Sequence, residues 1–315
     1  MKQFGRKAQI VVETTSPLFT DKEGKSYEFY DKLVVENLRI AFEIEKGRKP
    51  YNNSRFTIYN LSNIRRENLD VFDKTATTVS LFVKYQEDPG FQLLAKTDIS
   101  SVSHSFDLPN ISTTLSCEDG RNVLSEPVSF AAPKKEAKMS EIIKQLEGVL
   151  NQAISAPFSL LNNESSSFLT EKTFAGGWND TCIAKDAFEK LGDEAEGHAT
   201  VVDGELQIIP DDGFEETEKK GKVISQDTGM IGFPQKMDNV LTKSGKKKKK
   251  KNGEATSAPG YEVTTLLDPS VKPGHRVKLI CKRMNINSIF NVESVSHRGD
   301  THGDIWESKI RLLFL

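Results

Sequence analysis

The sequence predicts a mainly β protein with an α+β part: two strand-rich, β-barrel-like units flanking a small α/β unit. Three observations predict it. Apolar residues alternate with polar ones at a period of two near both ends of the chain, helical spacing is confined to the middle, and turn-forming residues punctuate most junctions. The periodicity changes place the units at residues 1–125, 126–222 and 223–315, with a basic loop at 244–259. A chain of 315 residues is long for a single core and fits two or three.

The elements follow in order. In "NLRIAFEIEKG", Leu38, Ile40, Phe42 and Ile44 alternate with Arg39, Ala41, Glu43 and Glu45, which describes a half-buried strand. "KPYNN" supplies a turn, and Phe56 and Ile58 share one face of the next strand opposite Thr57 and Tyr59. A short helix follows, opened by Ser62 and Asn63 and spaced on Ile64, Leu69 and Phe72. Two further strands flank the Pro89-Gly90 turn, and "NISTTLSCEDG" closes the first unit. In the middle, Ile142, Ile143, Leu146, Val149 and Leu150 recur at helical spacing behind Ser140. "NDTCIAKDAFEKLG" repeats the pattern, with Gly192 as its expected C-terminal stop. The stretch "SLLNNESSSFLTEKTFAGG" between the two helices reads as a strand and loops. Asp203-Gly204 between two β-prone runs is a strong hairpin signal, and "DDGFEETEKKGK" is a charged linker or exposed loop.

The last hundred residues return to strands. Trp306, Ser308, Ile310, Leu312 and Phe314 share one face of the final run, and Glu307, Lys309 and Arg311 the other. In the preceding run, Phe290, Val292 and Ser294 oppose Asn291, Glu293 and Val295. "HRGDTHGD", residues 297–304, lies between them with the glycines and aspartates of a hairpin connection. A metal site would need His297 and His302 to converge with a carboxylate, which five residues across a turn do not favour, and the "RGD" triplet is too short to carry a function. No sequence repeat is visible between the two strand-rich ends.

Composition excludes several classes. A content of 37% hydrophobic and 28% charged residues is that of a globular protein, and no apolar run reaches the roughly 20 residues of a membrane helix. The start lacks the apolar core of a signal peptide, so synthesis in the cytoplasm is expected. Cys117, Cys182 and Cys281 are odd in number and lack a CxxC pair, which argues for reduced thiols rather than disulfides or structural zinc. The net charge of -2 gives no general attraction to nucleic acid.

Several separated motifs carry a family resemblance. "TGMIGFPQ" at 228–235, "GYEVTTLLDPSVKPGHRVKL" at 260–279 and "FNVESVSHRGDTHGDIWESKI" at 290–310 resemble the C-terminal half of bacteriophage tail baseplate hub proteins of the late control protein D type. "LRIAFEIEKG" with "NNSRFTIYNLS" resembles their opening domain. The resemblance covers roughly two-thirds of the chain, in order from end to end. It implies a structural protein of the virion tail baseplate, assembled in the bacterial host cytoplasm. The implied form is a homotrimeric ring joining the hexameric tail tube to a trimeric central spike or tip. Other baseplate proteins, and DNA or the tape-measure protein in the lumen, are the further implied partners.

Catalysis is not expected and no cofactor is called for. GxSxG, HExxH, the P-loop and GxGxxG are all absent, and neither Glu164 nor His198 has a spacing that favours a catalytic role. A tail-associated cell-wall hydrolase is therefore the alternative, together with a nucleic-acid-binding protein acting through the lysine run. That run, Lys246, Lys247, Lys248, Lys249, Lys250 and Lys251, places six mutually repelling ammonium groups side by side, so it must be solvated. It is the candidate contact for DNA or an acidic partner, and it departs from the family pattern.

Overall fold

The computed structural model describes residues 5–14, 18–20, 26–28, 32–48, 52–72, 77–132, 137–153, 173–174, 178–211, 214, 222–240 and 258–315. Strands β1 to β7 span Lys7–Thr14, Leu18–Thr20, Ser26–Glu28, Lys32–Val35, Ile40–Gly47, Asn53–Tyr59 and Thr77–Lys84. Strands β8 to β14 span Gln92–Asp107, Asn110–Glu118, Pro127–Ala132, Ala137–Lys138, Thr173–Phe174, Trp178–Ile183 and Gly197–Val202. Strands β15 to β21 span Glu205–Pro210, Lys222–Ile224, Met230–Val240, Ala258–Leu266, Arg276–Cys281, Ile286–Asp300 and Trp306–Phe314. Four α-helices accompany them among the described residues: α1 (Asn63–Phe72), α2 (Arg121–Leu124), α3 (Met139–Ala153) and α4 (Ala184–Ala195). The class is mainly β with a small helical part, as the alternation predicts.

Both strand-rich ends enter one 13-stranded sheet, ordered β17-β18-β21-β20-β5-β6-β9-β8-β7-β1-β4, with β19 on β20 and β16 on β19. The two ends meet where β20 pairs antiparallel with β5, from Ser294↔Gly47 to Asp300↔Ala41. Three apolar clusters form the interior. Phe42, Phe56, Leu81 and Leu115 belong to the first end, Leu279, Phe290, Val292 and Ile310 to the last, and Ile142, Leu146, Phe188 and Val201 to the middle. Full burial of one such side chain stabilises by about 1.5–3 kcal/mol. Trp306 belongs to the last end by sequence but packs in the first cluster, edge-on to Phe42 at 5.3 Å.

The two ends are copies of one topology. The first runs β5-β6-β9-β8-β7 across the sheet and the last runs β17-β18-β21-β20-β19, so the same chain order gives the same spatial order twice. In each copy the long strand has two halves. Residues 92–98 of β8 pair with β7, and residues 286–291 of β20 pair with β19. A bulge then follows in both, between Ile99 and Ser101 and between Val292 and Ser294. Superposing the bulges aligns Ser101-Val102-Ser103-His104 with Ser294-Val295-Ser296-His297, an identical four-residue run. This repeat is too short to be detected without the bulge that sets its register.

The same bulge corrects the predicted face of β20. One extra residue in a strand reverses which side later residues occupy. Phe290, Val292, Val295 and His297 are consequently buried, while Ser294 and Ser296 turn to the polar side, against the expectation that Ser294 would join Phe290 and Val292. Two further expectations change. Ile64 on α1 is 66% exposed rather than part of the core. Gly192 lies inside α4, where a Cβ would come within 2.8 Å of the Ala199 backbone nitrogen, so it serves the close approach of β14. Glu196, in left-handed conformation at φ 60, caps the helix instead. The Asp203-Gly204 turn is as predicted, with both residues at positive φ.

Candidate assembly interface

The polar face of the sheet is continuous across the β20–β5 joint. Register places Arg55, Glu43, Arg298 and Glu307 in one row over four strands, alternating in sign. Arg298 donates to Glu43 at 2.8 Å. Further along, Glu262 accepts from Lys309 at 2.6 Å and from Arg311 at 3.3 Å. Partial burial pushes the Glu262 carboxyl up, but these two cations outweigh it and hold it below its ordinary range. Between the charges stand Ser294, Ser296, Thr114 and Ser116, which are only partly exposed. The result is a hydrophilic surface whose cations are largely matched by anions across strands.

"HRGDTHGD" is only half a connection. His297 to Asp300 are the end of β20, and Thr301 to Ile305 make the turn. The triplet is consumed within the fold. Arg298 holds Glu43, and Asp300 accepts from Arg39 at 2.7 Å and from the His302 backbone N–H at 2.9 Å. Gly299 leaves room for rings: a Cβ there would stand 2.6 Å from Phe42 Cε1 and 2.8 Å from Trp306 Cε3. The two histidines part company. His297 is fully buried with Nδ1 2.8 Å from Ser308 Oγ, whereas His302 is exposed. Burial, aided by the field of Lys46, drives the His297 imidazole down to about 3, so it is neutral at physiological pH. Among the described residues no three His, Cys, Asp or Glu side chains group as a metal site.

A buried ionic cluster fastens the middle unit to the joint. The inward row of β5 ends not in an apolar residue but in Lys46, whose Nζ is 2.6 Å from Asp203 Oδ1. Lys272 meets the other oxygen of Asp203 at 3.2 Å. Burial pushes the Asp203 carboxyl up, yet the two ammonium groups outweigh it and hold it low. Asp119 is buried beside them, and burial together with the Asp203 charge raises it well above the carboxylate range. Asn52 completes the contact by donating to the Val201 carbonyl at 2.9 Å. A second pair, Arg48 with Glu293 at 3.3 Å, lies at the bulge residue itself. These contacts join Lys46, Arg48 and Asn52, the β14–β15 hairpin and the last unit, a convergence that no local motif announces.

Of the residues singled out from sequence, His198 lies on β14 with Nε2 3.2 Å from Asp211, where burial and the Arg48 charge lower its affinity for protons. Glu164 and Lys246–Lys251 lie outside the described residues. Cys117 and Cys281 are buried and Cys182 is half-buried, and none is bridged to another cysteine. No described helix is long and apolar enough to cross a membrane.

No family model matches the chain, and no curated protein matches its sequence. Solved structures match its fold along nearly its whole length. A tail protein from Neisseria meningitidis is 13% identical at TM-score 0.58, with 98% of this chain and 96% of that chain covered. A 43 kDa tail protein of prophage MuSo2 from Shewanella oneidensis is 11% identical at TM-score 0.57, with 97% and 96% covered. An Escherichia coli component of the type VI secretion system, described as structurally similar to bacteriophage T4 tail proteins, is 9% identical at TM-score 0.54, with 88% and 73% covered. The chain thus has the fold of these tail proteins.

Proposed function

We propose that the chain is the structural hub of a phage or phage-derived tail baseplate. Three copies close a ring that joins the hexameric tail tube to a trimeric spike or tip. The observation that carries this reading is the duplicated strand order merged into one sheet through the β20–β5 joint. Two quasi-equivalent units per chain give a threefold ring six similar faces, which is what adapts a threefold partner to a sixfold one. The residue ranges 1–125 and 223–315 are the ring units in this reading, and 126–222 is a brace on their joint. The matched-charge face lines the lumen, where a surface of paired ions and hydroxyls offers no sticky apolar patch to DNA or a tape-measure protein.

The protein acts in this account by shape and contact, not catalysis, in the virion tail. Absolute mass by light scattering after size exclusion tests it: a species of about three times the 35.2 kDa chain is expected, and a monomer at every concentration contradicts it. Lys246–Lys251 are proposed to contact DNA or an acidic neighbour, because six adjacent cations release counterions on binding. Replacing them with Gly and Ser is expected to weaken salt-sensitive binding while the ring persists; unchanged binding across a salt series refutes that role.

A further inference from the structure

We infer that the outer half of β8, Ser101–Asp107, pairs antiparallel with β17 of a second copy, repeating between chains the joint that β20 and β5 make within one. This rests on the ring reading and names its contact. The long strands β8 and β20 occupy the same place in the repeat and carry the same bulge and the same Ser-Val-Ser-His run. Beyond the bulge, β20 is covered by β5 over Ser294–Asp300. The matching residues of β8 pair only with β9 among the described residues. β17 is the counterpart of β5 and pairs only with β18 there. A donor edge and an acceptor edge of one repeated joint therefore stand open at opposite ends of the eight-strand run from β17 to β8, and open edges of this length invite strand addition.

Both edges also expose apolar side chains. Phe106 is 62% and Leu108 84% exposed at the end of β8, and Ile231 and Phe233 on β17 are 44% and 43% exposed. At the equivalent of Phe106, Gly299 is buried against Phe42 and Trp306. Such a contact uses two different patches, so it propagates head to tail and closes only as a ring.

The repeat also fixes the register. Ser101 aligns with Ser294, which aligns Ser105 with Arg298. Arg55 and Glu262 align because their partners Ser116 and Arg311 stand opposite Ser101 and Ser294. Their own partners Glu43 and Gln235 then align. The internal pair Arg298↔Glu43 becomes Ser105↔Gln235 between chains.

Directly opposed residues bring their Cβ atoms to about 4.5–5.5 Å, within a small adjustment of disulfide geometry. The test mixes full-length Ser105→Cys chain with full-length Gln235→Cys chain, both sites being exposed, and oxidises the mixture. Covalent dimer that collapses on reduction is expected from the mixture and not from either chain alone. The double variant is expected to yield covalent trimer. Ser101→Cys with Gln235→Cys, displaced by about 13 Å along the strand, serves as the out-of-register control. Particles of three-chain mass that cross-link no better than this control overturn the edge assignment and leave the ring standing. Monomer alone, by light scattering of the unmodified chain, overturns both.

Discussion

Strands β8 and β20 pose the same local sequence in two surroundings. Each carries Ser-Val-Ser-His after a bulge, and each sets its histidine Nδ1 against a hydroxyl on the next strand, Thr113 at 2.9 Å or Ser308 at 2.8 Å. His297 lies under β5 and is sealed from water, while His104 stands at an open edge and bonds Asp70 through its other nitrogen at 3.0 Å. The shared motif builds the strand, and the neighbour decides what the strand is for. Where the chain supplies β5 the histidine becomes core; in the other copy α1 supplies only Asp70, and among the described residues no strand covers the same edge. The joint also differs in having a brace, since the Lys46–Asp203–Lys272 cluster ties the middle unit to the covered copy.

The largest expected effect breaks the brace. Asp203→Ala leaves Lys46 buried without its counter-charge and is expected to cost about 3–5 kcal/mol, measured by urea unfolding. A loss below about 1 kcal/mol shows that the cluster contributes little. Next, Gly299→Ala drives a methyl into Phe42 and Trp306 and is expected to cost about 1–3 kcal/mol by overpacking, measured as a drop in Tm. The matching change Phe106→Ala lies at the open edge and leaves the isolated chain's Tm nearly unchanged.

His297 sharpens the contrast through pH. Its folded-state value is depressed to about 3 from 6.5, so the unfolded chain binds the proton more readily. Its contribution is complete above pH 6.5 and is lost as pH falls toward 3, at a slope approaching 1.4 kcal/mol per pH unit. Unfolding free energies of the parent and His297→Gln, taken between pH 7 and 4, are expected to converge as acid is added. Parallel curves contradict the assignment. The smallest effect belongs to the polar face: Arg298→Ala, whose guanidinium and Glu43 partner are each 54% exposed, is expected to change stability by no more than about 0.5 kcal/mol.

Much of the fold was readable in the sequence because alternation reports which residues face a core. β5, β6 and β21, the Asp203-Gly204 turn and α3 announce themselves by spacing, and so does α4, although residues 179–183, expected to open it, form β13 instead. What was hidden depends on partners distant in sequence. The bulge at Glu293 and the merging of both ends into one sheet leave no periodic trace, because register is settled by the strand alongside. The ionic brace was equally silent, since Lys46, Asp203 and Lys272 are ordinary surface residue types until three segments converge on them. His297 looked like part of a turn because the strand continues through it, supported by β5, which lies some 250 residues earlier.

Amide hydrogen exchange on the assembled protein tests the central claim most directly. Residues 101–107 of β8 and 294–300 of β20 occupy equivalent places, one open and one covered in the single chain. In particles of three-chain mass the account predicts that both stretches become comparably protected, and that 101–107 alone loses protection when the particle is diluted to monomer. Rapid exchange persisting at 101–107 in the intact particle contradicts it.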